Sequence, residues 1–178
     1  YISNYICLKP AKDLQTYPTV YLNGDRSVAT FNTVLMAGEG SKMDTGSRVY
    51  LRGRGSRAEI ISRTVSTGGE IYARGHLIGE AEGVKAHLEC NGLLLSDKGK
   101  IHAIPELEAR HKDLEMSHEA AVGKINQEET EYLMARGLSE AEAQSLIIKG
   151  FLSLDILGLP ESLRRDVDKM VEESAGAM

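Results

Sequence analysis

RAEIISRTVSTGGE (57–70), IYARGHLIGEAEGV (71–84), KAHLECNGLLLSDK (85–98) and GKIHAIPELEARHK (99–112) are consecutive blocks of fourteen residues, and a fifth opens with DLEMSHEA at Asp113. Each block begins with an alternating apolar–polar run and closes near a Gly, Asp or Lys turn. Strands recurring at a short fixed period fit either an antiparallel meander or a solenoid. A meander needs tight hairpin turns, and most junctions lack them; Asn91-Gly92 lies inside a strand block. The period predicts a mainly β fold: a two-sheet parallel β-helix with a coil of about 28 residues, each coil stacked at about 4.8 Å on the next.

Outside the blocks the composition changes. Thirteen of the 18 glycines fall between Gly24 and Gly99, and only five lie from Gly123 onward, where Ala, Glu and Leu take over. The chain therefore divides into a strand-and-turn core over roughly 1–122 and a helical region over roughly 123–178. In the second part Asn126 can cap a helix, with Glu129 to return the bond and Gly137 to end it. Ser139 with Glu142 repeats the capping pattern. The helix that follows carries Ala143, Leu146, Ile147, Gly150, Phe151 and Leu154 at spacings of three and four, which predicts one apolar face. Gly158 and Pro160 break it, and Leu163, Val167 and Met170 form the stripe of a last amphipathic helix.

Composition removes several classes of protein. Two cysteines, Cys7 and Cys90, cannot build a disulfide-dense scaffold or a four-thiolate zinc site within one chain. Their scarcity fits a reducing, cytoplasmic compartment. No run of 18 apolar residues exists, so no membrane span is expected, and the first residues lack the pattern of a signal peptide. The chain begins at Tyr1, inside an alternating run, and reads as a fragment. Twenty-one basic against 26 acidic residues give a net charge of −5, which argues against a nucleic-acid partner. The densest basic stretch, Arg48, Arg52, Arg54, Arg57 and Arg63, alternates with apolar residues and reads as a solvated strand face.

Enzyme motifs fail. His118-Glu119 opens like a zincin motif, but Val122 stands where the second histidine belongs. No phosphate loop ending in Lys-Ser/Thr occurs, Gly53-Arg54-Gly55 lacks its third glycine because position 58 is Ala, and no Gly-x-Ser-x-Gly elbow is present. Chemistry concentrates instead around one thiol. All five histidines lie between His76 and His118, with Cys90 in their midst. In a 28-residue coil, Ser62, Cys90 and His118 stack at one place on successive coils, and His102 belongs to the opposite sheet or a corner. Cys90 then has two readings. It is a thiolate that binds sulfur or metal, completed by His118 and Glu119, or it is a small buried thiol in a β-helix core. Adjacent strand residues point to opposite faces, so His118 and Glu119 serve one site only at a bulge, a corner or an interface.

Three stretches carry a resemblance: MDTGSRVYLRGRGSRAEIISRTVSTGGEIYARGHLIGEAEG (43–83), HLECNGLLLSDKGKIHAIPELEA (87–109) and MSHEAAVGKINQEETEYLMARGLSEAEAQSLIIKGFL (116–152). Together they resemble the SufB/SufD family, the scaffold proteins of the Suf iron–sulfur cluster assembly system, over about 110 residues from Met43 to Leu152. The third is the most specific, with its HEA-x-x-x-KI segment followed by RGLSE-x-EA.

The resemblance implies a right-handed parallel β-helix followed by C-terminal helices. It implies pairing through the β-helices, as a homodimer or a SufB/SufD-type heterodimer, and a SufC-type ATPase docked on the helices. Leu146, Ile147, Phe151 and Leu154 are the candidates for that docking face, or else they cap the open end of the solenoid. The cargo implied is a transient iron–sulfur cluster, absent from purified protein, with no catalytic residue in this chain. Cys90 falls at the cysteine of SufB, although the segment reads ECNG where SufB has QCDS. Glu119 falls at the glutamate of the SufB HEA segment, and His102 at a SufB histidine. His118 falls at the histidine that SufD contributes across the interface. LLLSDK and PELE look like SufD, whereas Cys90 and HEA look like SufB, a mixture that suits a homodimer. Cys90 and Glu119 of one chain would then face His118 of the other. A thiolate at Cys90 needs a lowered pKa, for which Lys85 is a candidate cation. The alternative is a structural protein of the same fold that binds the ATPase without cluster chemistry.

Overall fold

The structure is a computed structural model that describes residues 1–9 and 11–152, together with Glu161, Arg165 and Lys169, which are helical and exposed. The expected stripe of Leu163, Val167 and Met170, the break at Gly158 and Pro160, and the docking candidate Leu154 lie outside the described residues.

The strands are β1 (Ile2–Cys7), β2 (Asp13–Thr16), β3 (Thr19–Leu22), β4 (Val28–Ala37), β5 (Lys42–Leu51), β6 (Arg57–Ser66), β7 (Glu70–Gly79), β8 (Val84–Leu94), β9 (Lys100–Ala109) and β10 (Leu114–Lys124). Two helices follow, α1 (Gln127–Met134) and α2 (Glu140–Leu152). Strands alternate between two parallel sheets. The first runs β1-β4-β6-β8-β10; the second runs β2-β5-β7-β9, with β3 also paired to β5. This is a parallel β-solenoid of about four turns, as the fourteen-residue period predicts. Strand starts expected at 57, 71, 85, 99 and 113 are observed at 57, 70, 84, 100 and 114.

The coil length is not constant, and that has consequences below. Lys42 pairs with Glu70 and Arg57 with Lys85, both 28 residues on. The next coil is longer: Glu70 pairs with Lys100 and Val84 with Leu114. The additional pair of residues sits in the corner between β8 and β9, which spans 95–99, where the corresponding corner between β6 and β7 spans only 67–69.

Alternation builds the interior. On β5 every second residue from Met43 to Leu51 is buried, and the intervening residues face out. Inward-facing Phe31, Val49, Leu51, Ile60, Leu77 and Leu88 stack into one core, aliphatic apart from the Phe31 ring, and Leu35, Met43 and Ile71 form a second beside it. A narrow lumen between parallel sheets suits small aliphatic side chains rather than large rings. The corner that leads from the second sheet to the first repeats the same backbone on successive coils. Arg26, Gly55 and Gly83 all adopt left-handed φ, at 58°, 63° and 71°. Glycine takes that conformation without Cβ strain, so two of the three coils use it there.

The outward arginines are neutralised one coil on. Arg52 pairs with Glu80 at 2.9 Å, Arg54 with Glu82 at 2.7 Å and Arg63 with Glu89 at 2.9 Å. The basic stretch is solvated and partly charge-balanced, but it is not one strand face: Arg48 lies on β5 in the second sheet, Arg52 and Arg54 in the corner that follows, and Arg57 and Arg63 on β6 in the first sheet.

The helices begin where the sequence signals them. Asn126 caps α1, its side chain accepting from the Glu128 N–H at 3.0 Å. Gly137, at φ 100°, follows its end. Ser139 and Glu142 form a reciprocal capping box: the Ser139 N–H donates to the Glu142 carboxylate at 2.8 Å, and the Glu142 N–H donates to Ser139 Oγ at 3.4 Å. The apolar face of α2 differs from the expected one. Ala143, Ile148 and Leu152 are buried, while Leu146 is 50% exposed. The reason is the surface available. α2 lies on the outer face of the first sheet, where Val34, Met36, Val65 and Leu93 form an apolar patch that receives Ile148 and Leu152. That patch explains why β6 ends in Val65 and Ser66 buried together rather than alternating. Ile148→Ala leaves a hole in this cluster and is expected to cost about 3 kcal/mol in denaturant unfolding; a loss under about 1 kcal/mol would mean that the site collapses around the smaller side chain.

Candidate functional site

The register decides which candidates meet. Cys90 lies on β8 with its side chain in the lumen, 2% exposed. Its neighbour on β6 is Ser62, as the 28-residue spacing predicts. Its neighbour on β10 is Ala120, not His118, which pairs with Leu88. The expected stack of Ser62, Cys90 and His118 therefore breaks at the last step. The two extra residues in the 95–99 corner shift β10 by one pleat repeat, a change that preserves every side chain's face and moves its partner.

Faces follow from the same alternation. His118 shares the lumen side of the first sheet with Leu88 and Cys90, and Glu119 shares the outer side with Glu89. Both are exposed, because β10 is the terminal strand of its sheet. Neither side chain makes a hydrogen bond or ion pair among the described residues. Cys90 and Glu119 of one chain thus sit on opposite faces of one sheet. Among the described residues no three His, Cys, Asp or Glu side chains gather closely enough to hold a metal ion.

The environment of Cys90 opposes ionisation. Burial pushes its thiol above the usual range; the neighbouring Ser62 hydroxyl, which donates to the Glu89 carbonyl at 3.4 Å, works the other way, and the Glu89 carboxylate adds a smaller upward push. Lys85 does not supply the expected cation. It points outward and pairs with Glu115 at 2.8 Å. Arg63, also outward, is held by Glu89, which accepts from Asn91 Nδ2 at 2.6 Å as well. His102 lies on β9 in the second sheet, in agreement with its spacing from Cys90. Its ring stacks on Tyr72 at 4.7 Å on the outer surface, with Glu70 3.7 Å away, so it does not share the lumen with Cys90. Cys7 ends β1, and Met116 packs against the main core.

The docking candidates divide. Leu146 lines a cavity of about 1060 Å³ between α2 and the end of the solenoid, together with Leu95, Ile125, Leu138 and the paired Asp97 and Lys124. Ile147 is half-buried. Phe151 packs on the sheet-facing side, with the Arg63 guanidinium 5.8 Å from its ring.

One network escapes sequence reasoning. On the outer face of the second sheet, Arg48 Nε donates to His76 Nδ1 at 3.1 Å, which leaves the proton on Nε2 to be donated to Glu108 at 2.7 Å. Arg110 holds Glu108 from the other side at 2.6 Å. Arg110 first and His76 second keep the Glu108 carboxyl well below its usual range. The 28-residue step from Arg48 to His76 signals half of this network, but the step to Glu108 crosses the longer coil and hides the rest.

Comparison with known proteins places this fold. Residues 7–151 match the family model of the SufBD core domain of SUF-system FeS cluster assembly. The chain is 58% identical over 172 residues to an iron–sulfur cluster assembly SufBD family protein of Archaeoglobus fulgidus, covering 97% of this chain and 46% of that protein. It is 53% identical over 179 residues to a SufBD family protein of Methanothermobacter thermautotrophicus, covering 100% of this chain and 44% of that one. The iron–sulfur cluster assembly protein SufB of Bacillus subtilis is 30% identical over 159 residues, covering 88% of this chain and 34% of SufB. The chain thus spans less than half the length of these relatives. With the solenoid, the register and these matches in hand, the chain belongs to the SufBD family of iron–sulfur cluster assembly proteins.

Proposed function

We propose that this chain is part of an assembly scaffold on which an iron–sulfur cluster forms as cargo, at a site shared by two copies. Cys90 supplies the thiolate and the partner copy supplies the nitrogen of His118. Glu119 supplies an oxygen ligand once the edge strand is displaced, because in the closed chain it lies on the wrong face for Cys90. Thiolate, imidazole and carboxylate are all competent iron ligands. The observation that carries the reading is the position of β10. It is an exposed terminal strand that presents the side chains of His118 and Glu119 without partners among the described residues, one strand away from the buried thiol. An unpaired strand edge is a ready surface for another chain.

Burial of Cys90 requires opening before a cluster can load. A SufC-type ATPase docked through the helical region supplies that work in this account, with Leu146 and its cavity as the contact nearest the solenoid end. Because burial raises the Cys90 pKa, loading is expected to quicken as pH rises and more thiolate forms.

The test is co-expression with the cognate ATPase, followed by anaerobic iron and sulfide. Co-purification with visible charge-transfer absorption is expected. The 2% exposure of Cys90 favours a second reading, an interaction protein without cluster chemistry; it predicts ATPase binding and no absorption.

A further inference from the structure

We propose that His76 is the centre of an acid-driven switch on the outer face of the second sheet: when the imidazole takes up a second proton, it exchanges Arg48 for Glu106. The exchange moves a side-chain tie from the strand before β7 to the strand after it.

The register sets the switch. His76 is 8% exposed on β7, and its register partners are Arg48 on β5 and Glu106 on β9, so opposite charges flank the ring. Arg48 Nε donates to Nδ1 at 3.1 Å, and Nε2 donates to Glu108 at 2.7 Å. The first of these bonds needs a lone pair on Nδ1, because a guanidinium offers donors alone. Glu106 stands close without bonding. Its Oε2 is 3.9 Å from the same Nδ1, beyond hydrogen-bond range, and its side chain is 53% exposed.

A second proton reverses the preference at Nδ1. Two donors then face each other across 3.1 Å, and both carry positive charge. Arg48 has a second anchor: its guanidinium lies 5.2 Å from the Tyr17 ring, which attracts a cation whatever the state of Nδ1. Glu106 needs about 1 Å of travel to accept from Nδ1, and a carboxylate–imidazolium bond is charge-assisted. Nε2 keeps its proton and its bond to Glu108 in both states, so the ring stays in place while its other nitrogen changes partner.

The remaining groups around the ring hold still. Arg110 is paired with Glu80 and Glu108, and Arg74 with Asp44. Glu108 remains ionised, because Arg110 first and His76 second hold its carboxyl below the usual range. Burial pushes the Tyr17 phenol up, so it remains neutral. The exchange has a direction along the solenoid. With a neutral ring Arg48 ties β5 to β7; with a charged ring Glu106 joins Glu108 in tying β9 to β7. Because β9 is the terminal strand of its sheet, acid fastens the last coil.

Nitrogen-15 NMR of the chain, labelled in its histidine and arginine side chains, tests the exchange, with His76→Gln assigning the ring by the signals that vanish. At about pH 8 the ring is expected as the Nε2–H tautomer. On acidification both ring nitrogens should take protonated shifts, and Arg48 Nε should move with the same midpoint. Arg48→Met removes the donor that favours the neutral ring, and its midpoint is expected about half a pH unit higher. Glu106→Gln removes the incoming carboxylate, and its midpoint is expected about half a unit lower. Backbone spectra verify that each variant folds; should one not, the shared midpoint of Arg48 and the ring in the parent decides. A cluster with a merely structural role would leave Arg48 indifferent to the ring's charge. An Nδ1–H tautomer, a ring that stays neutral until the fold is lost, an Arg48 signal that does not follow the ring, or variant midpoints that fail to move in opposite directions would each overturn the proposal.

Discussion

Gly53→Ala is expected to destabilise the chain by about 3 kcal/mol, the upper range of an overpacking substitution. Gly53 opens the corner after β5, and its backbone is tied to the coil before it. Its N–H donates to Leu22 O at 2.8 Å, and the next N–H, of Arg54, donates to Asp25 Oδ1 at 2.9 Å. A Cβ at Gly53 would run into the Gly24 carbonyl and come within 2.9 Å of the Asp25 nitrogen. These are backbone atoms of a neighbouring coil, so relief requires the coils to part. Gly24, the other side of the same contact, is the control: a Cβ there meets nothing within 4 Å. Gly24→Ala should stay within about 0.5 kcal/mol of the parent in urea unfolding. A Gly53→Ala midpoint close to that of Gly24→Ala would show that the corner yields cheaply and that the coils are only loosely stacked there.

The same corners explain why so much of the fold was legible in the sequence. A solenoid repeats its local chemistry, so alternation in one strand and a turn at one corner recur in the next, as Arg26, Gly55 and Gly83 do. The capping signals at Asn126 and at Ser139 with Glu142 are local too, and the structure realises both. What the sequence concealed was set by exceptions to the repeat. Two added residues in one corner moved His118 from Cys90 to Leu88 and placed Ala120 there instead. Nothing in the alternation reports such a slip, because a shift of two residues keeps every face unchanged. The face of α2 was hidden for a different reason. Leu146 and Ile148 are equally apolar, and only the patch of Val34, Met36, Val65 and Leu93 selects between them. Ion-pair choices were equally opaque: Lys85 stood near Cys90 in sequence but points across the sheet to Glu115.

The second large effect concerns the shared site. Cys90→Ala removes the thiolate, and His118→Ala removes the nitrogen ligand offered from the edge strand, so each homodimer should lose cluster absorption after anaerobic reconstitution with iron and sulfide. The two variants differ in what they keep. A His118→Ala chain retains Cys90 and Glu119, and a Cys90→Ala chain retains His118. A mixed dimer therefore contains one intact combination and one doubly damaged one. Dissociating the two variants and reassociating them at random makes about half the dimers mixed, so about a quarter of the parental sites should return. That recovery is the most direct test of a site built from two chains. Visible absorption near a quarter of the parent's, from two variants that are each colourless, is the predicted result. A mixture as colourless as its components, or full absorption retained by His118→Ala alone, would contradict the account.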